Sequence, residues 1–166
     1  MQQCLACKRM NDSITPDWIK EIEAAEAVHT AAARATVAED SLRAKTIQAD
    51  GPAYWRLLQK ELYIAVEGLK RVGITGVIED AFAVKEKGIQ VRIQRTDRPS
   101  KQAFVKLFYT DGDPGIQRYP ATAEGVSALL FDVHNDTMAL YGDGDALTPE
   151  AAARFILEPM VKNVKT

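Results

Sequence analysis

Cysteine is nearly absent from this chain. Its two copies, Cys4 and Cys7, sit together at the N-terminal edge, so no internal disulfide can join distant segments and a disulfide-stapled scaffold is excluded. Histidine is as scarce, with only His29 and His134, and neither has a cysteine nearby. The C-x-x-C pair therefore lacks the second ligand pair of a zinc site. It also lacks the βαβ setting in which a redox motif opens a helix. Residues 1–14 are read as a disordered terminus without a role. Long apolar runs are missing too. No segment approaches the roughly 18 consecutive apolar residues of a membrane span, and the opening Met-Gln-Gln-Cys-Leu-Ala-Cys-Lys-Arg has no apolar signal region. No membrane association is expected, and cytoplasmic residence is the default. A formal net charge of -2 supplies no pull toward nucleic acid or anionic lipid. Nucleophile–base pairs, metal cages and phosphate loops are absent as well, so no catalytic residue, metal or cofactor is expected.

What is present is an ordinary soluble composition, 46% hydrophobic and 27% charged over 166 residues. That length suits one core carrying a helical extension. The most regular feature is a stripe at Trp55, Leu58, Leu62, Ala65, Leu69 and Val72, an unbroken 3-4-3-4-3 spacing. Such spacing lines one narrow side of a helix, as in a coiled-coil seam, and points to helix pairing within the chain or with a partner.

Three helix starts share one form. Thr15-Pro16-Asp17, Gly51-Pro52 and Thr148-Pro149-Glu150 each place a capping-type residue before a proline suited to the first helical position. From Pro16 to about Gln48 the chain holds only good or tolerable helix formers, acidic early (Asp17, Glu21, Glu23, Glu26) and basic late (Arg43, Lys45). Its many alanines allow close approach of a second helix, with Ile19, Ile22, Ala25, Ala32 and Leu42 as candidate contacts. The short break at Ala49-Asp50-Gly51-Pro52 predicts an antiparallel helical hairpin over 15–73. Gly73 supplies a left-handed helix end.

After Gly73 the period becomes two. Ile78 to Val84, Ile89 to Gln94 and Gln102 to Thr110 alternate as strands, with Glu86-Lys87-Gly88 as the first turn. A short segment around Ile116 to Tyr119 follows. Asn135-Asp136 then forms a tight hairpin that sets Val133 opposite Met138 and Phe131 opposite Leu140. A final helix from Thr148 to about Val161 shows Ala152, Phe155, Ile156, Pro159 and Met160 on its apolar side. The expected fold is α+β: an N-terminal antiparallel helical hairpin, then a meandering antiparallel sheet of five or six strands over 74–166 with the C-terminal helix packed on it.

Asp132, His134 and Asp136 form a D-x-H-x-D run whose first two members share a strand face. They are the candidate ligand-binding pair, although turn chemistry accounts for Asp136 and further metal ligands are lacking. Asp143-Gly144-Asp145 lacks the spaced oxygens of a calcium loop. Phe104, Lys106 and Phe108, with Arg92, alternate as a single-strand binder's face would. The composition argues against nucleic acid, and an apolar face beneath the long helices is the plainer reading. Two function classes remain. The leading one is a non-enzymatic interaction or assembly module whose helices mediate homo-oligomerisation or dock a protein partner. The alternative is a small-molecule-binding protein or undetected enzyme with a pocket near Asp132 and His134.

Overall fold

The computed structural model describes residues 16–82, 86–120 and 128–166; the terminus read over 1–14, with Cys4 and Cys7, lies outside them. The elements run α1 (Asp17–Leu69), a 3-10 turn (Lys70–Val72), β1 (Ile74–Phe82), β2 (Lys87–Arg95), β3 (Gln102–Phe108), β4 (Gly115–Tyr119), β5 (Ala128–His134), β6 (Thr137–Gly142), β7 (Asp145–Leu147) and α2 (Pro149–Lys165). The chain divides into two units, residues 1–40 and 41–166. In the first, the described helix is exposed throughout except for half-buried Ile19. The second holds the rest of α1, the sheet and α2.

The helical hairpin expected over 15–73 does not form. α1 is one helix of 53 residues with Pro52 inside it. A proline in a helix interior removes a hydrogen bond and costs about 3 kcal/mol or more, so something must outweigh a break there. The buried side of α1 supplies it: Ile47, Gly51, Tyr54, Leu58, Leu62 and Val66 follow a 4-3-4-4-4 spacing that crosses the proline without interruption. Folding back at Gly51 would take Ile47 off that side. Reading the stripe from Trp55 onward missed its first three members.

The sheet has seven strands in the order β1 to β7, each pairing antiparallel with the next. The expected five or six were too few. The missed strand, β7, is three residues long, and it pairs Leu147 with Leu140 across a turn in which Asp143 and Gly144 take positive φ values of 52° and 88°. A run that short carries no period of its own. β1 also starts at Ile74, earlier than the alternation around Ile78 suggested, and Lys87 and Gly88 belong to β2 rather than to the turn before it. The Asn135-Asp136 hairpin has the expected register, with both residues in the left-handed region and Phe131 opposite Leu140.

Register divides the sheet into two faces. Ile89, Val91 and Ile93 stand opposite Leu107, Val105 and Ala103, and Leu129, Phe131 and Leu140 continue that face. The buried side of α1 and the buried residues of α2 join the same hydrophobic core, so both helices cover one face. Full burial of a leucine such as Leu58 or Leu62 is worth roughly 1.5–3 kcal/mol. α2 starts at its expected cap, where the Thr148 hydroxyl accepts from the Ala151 N–H at 3.2 Å, and it runs past the expected end to Lys165. Arg118 stands opposite Leu107 and is buried on the same face.

An aromatic cluster joins α1 to the middle of the sheet. The Phe131 ring meets Tyr54 edge-on at 5.6 Å and Tyr109 edge-on at 5.9 Å, and Trp55 tilts against Tyr109. The Tyr54 hydroxyl donates to the Leu147 carbonyl at 2.7 Å, and burial pushes its pKa up. A Cβ on Gly51 would fall 2.3 Å from the Tyr109 hydroxyl oxygen and 3.3 Å from its ring carbon Cζ. Gly51→Ala should therefore destabilise the protein by about 1–2 kcal/mol, although alanine favours an open helix by up to about 1 kcal/mol. Adding Tyr109→Phe, which removes the clashing oxygen, should recover most of the loss. Urea denaturation of both variants tests the contact, and a stabilising Gly51→Ala would contradict it.

Candidate interaction surfaces

The residues expected to form one seam take three different positions. Leu58 and Leu62 are fully buried in the chain's own core, Trp55, Ala65 and Leu69 are half-buried against it, and Val72 is exposed in the 3-10 turn. The cause is helical drift. Each step of four residues overshoots a full turn by about 40°, and the buried side advances by such steps from Tyr54 through Leu58 and Leu62 to Val66. A strict alternation of threes and fours leaves that side at Ala65. The middle of the seam is therefore intrachain core.

Ala65 and Leu69 line a trough of about 510 Å³ between α1 and α2. Its floor is apolar, made by these two with Ile64, Ala153, Leu157 and Val161, and its rim carries Glu61, Glu150, Arg154 and Glu158. Glu158 is engaged on its own helix by Lys162 at 2.9 Å and Arg154 at 3.3 Å, which hold its carboxyl below the usual range. Sequence reasoning missed the α2 wall because it followed one apolar side, from Ala152 to Met160. Ala153, Leu157 and Val161, each four residues from the next, carry the legible signal of a second side.

Asp132 and His134 do come together. The Asp132 carboxylate accepts from the Val133 N–H at 2.7 Å and from the Arg43 guanidinium, and His134 Nε2 lies 3.1 Å from it. Partial desolvation works to raise its pKa, but the Val133 N–H, the Arg43 hydrogen bond and charge, and His134 together hold it below the ordinary carboxylate value. His134 lies against the Tyr141 ring at 5.6 Å. Asp136 sits in the turn with φ 59°. Among the described residues no group of three or more histidine, cysteine or carboxylate side chains is placed to hold a metal ion. The carboxylate's partner from outside the strand is a cation, so the arrangement is a charge network tying α1 to β5.

The outer face of the sheet lies opposite the one that α2 and the core-forming part of α1 cover. Register places Val77, Arg92 and Phe104 in one row and Glu79, Gln90, Lys106 and Tyr119 in the next. Phe104 is 46% and Tyr119 61% exposed. The expectation that Phe104 and Phe108 lie beneath the long helices is therefore corrected: Phe104 faces outward uncovered, and Phe108 is buried over Gly88. Arg92 reaches Glu79 at 3.6 Å, which tempers its charge. No described helix is long and apolar enough to cross a membrane.

No family model, curated protein or solved structure matches the chain. The surfaces themselves must carry the functional argument.

The Asp132 network predicts a pH dependence. A carboxyl held below its ordinary value of 3.8 in the fold stabilises the fold above that value, and the contribution disappears as pH falls through the lowered one. Asp132→Asn should be less stable than the parent by about 1 kcal/mol near neutrality. The deficit should shrink below pH 3.8 and close once the parental carboxyl is protonated. Denaturant titrations of both proteins across that range test it, and a deficit independent of pH would remove the charge network as its cause.

Proposed function

We propose that this chain is a non-enzymatic interaction module that self-associates through the N-terminal part of α1. One observation carries the reading. From Asp17 to Lys45 every residue of α1 except Ile19 is exposed, including Trp18, Ile22 and Leu42, with Val28 70% and Val37 69% exposed. Large apolar side chains left in water along a regular helix favour a partner that covers them.

The sequence of this stretch suits a second helix. Ala24, Val28, Ala31, Ala35, Ala38 and Leu42 alternate steps of four and three, the spacing of a two-helix seam, and alanine permits close packing. Charge favours an antiparallel copy. Asp17, Glu21, Glu23 and Glu26 stand against Lys20 in the first part, whereas Arg34, Arg43 and Lys45 outnumber Glu39 and Asp40 in the second. The alternative reading, a ligand pocket at Asp132 and His134, has less support because that carboxylate already accepts from Arg43 and Val133.

Light scattering coupled to chromatography tests the proposal. The parent should run as a dimer, and Val28→Glu with Leu42→Glu should run as a monomer that still unfolds cooperatively, since neither side chain is buried within the chain, with any fall in melting temperature reflecting the lost association. A parent that stays monomeric at its highest soluble concentration would remove self-association.

A further inference from the structure

We infer that the trough between α1 and α2 is a docking site for a partner's amphipathic helix that presents apolar side chains flanked by lysine or arginine. This surface is separate from the self-association proposed for the exposed part of α1.

Three observations support it. The first is shape. The trough follows α1 from Glu61 to Leu69 and α2 from Glu150 to Val161, so its walls are about 12 and about 17 Å long, two to three helical turns. An enclosed cavity buries most of a small ligand, whereas a channel between two helices covers one side of an elongated one, as helix-binding grooves do. The second is the floor. Ala65 and Ala153 leave room between larger flanking residues, and Ile64 is 55% exposed. Apolar anchors at helical spacing would fill that room.

Charge is the third observation, and it selects the partner. Three carboxylates, Glu61, Glu150 and Glu158, face one Arg154 around the rim. Glu158 is already shared by Arg154 and Lys162, which leaves Glu61 and Glu150 as the unmatched charges of the rim, because neither belongs to a described ion pair. A helix with basic flanks meets them favourably, while an acidic one is repelled. In a second copy the acidic opening of α1, with Asp17, Glu21, Glu23 and Glu26, is a poor occupant, and the more basic continuation from Arg34 to Lys45 is taken up by the self-association proposed above, so the partner is a different chain.

The test uses the full-length protein and a fluorescently labelled synthetic peptide of about 16 residues, roughly four turns, with leucines on one side and lysines flanking them. Anisotropy titrations should show binding to the parent and none for the matching peptide with glutamate in place of lysine. Glu61→Lys with Glu150→Lys should weaken binding by about tenfold or more, and Ile64→Lys should do the same by placing a charge over the floor. Asp80→Lys with Asp111→Lys makes the same change in net charge at exposed positions that line neither the trough nor the self-association stretch, and it should leave affinity unchanged. All these side chains are exposed or half-buried, and thermal melts would verify that each variant folds. Failure of the lysine peptide to bind the parent would overturn the inference. So would equal binding of the glutamate peptide, or equal binding by the trough variants. Light scattering on the same samples reads self-association independently, so either proposal can fail without the other.

Discussion

A helix with a proline at position 52 remains one helix because the sheet holds it on both sides of that proline. Tyr54 and Trp55 engage Phe131 and Tyr109, Gly51 admits the Tyr109 hydroxyl against its Cα, and Ile47 joins the same core one turn earlier. The aromatic contacts, each worth about 0.5–1.5 kcal/mol beyond the area they bury, act together with that burial against the proline's cost. Once α1 is continuous, the rest of the arrangement follows. Its C-terminal part becomes a wall of the trough, and Arg43 comes within reach of Asp132.

A seven-strand meander with both helices on one face is an asymmetric solution. The covered face takes Ile89, Val91, Ile93, Val105, Leu107, Ile116, Leu129 and Leu140 out of water. The other face keeps Phe104, Tyr119 and Leu130 partly exposed among Glu79, Arg92 and Lys106. An antiparallel sheet tolerates one solvated face because its strands alternate, so the outer face does not by itself require a partner. The exposed stretch of α1 is different. Along it Trp18, Ile22, Val28, Val37 and Leu42 are exposed.

The candidate sites were legible in unequal measure. Asp132 and His134 were paired from strand alternation alone, and they do meet; their tie to Arg43 spans 89 positions and leaves no trace in local sequence. Of the seam, Ala65 and Leu69 emerged as trough residues, Leu58 and Leu62 as core. Period alone cannot say whether an apolar stripe meets its own sheet or another chain. The α2 wall was hidden for a related reason: a helix lying between a sheet and a second helix needs two apolar sides, and the more hydrophobic one dominates the reading.

Local chemistry was sufficient for features that depend on a few adjacent residues. The Thr148 cap, the left-handed Gly73, the Asn135-Asp136 hairpin with its register, and the alternation of β2 and β3 follow from side-chain hydrogen bonding, from tolerance of positive φ and from a period of two. Tertiary structure decided whether the chain breaks at Pro52, because a local cost near 3 kcal/mol is smaller than the burial gained by keeping Ile47, Tyr54 and Leu58 in one line. It also decided that a three-residue segment after Gly144 becomes a strand, since β7 takes its hydrogen bonds from a β6 already in place. It placed both helices on the same face, a choice between two sides of a sheet that no short-range pattern encodes.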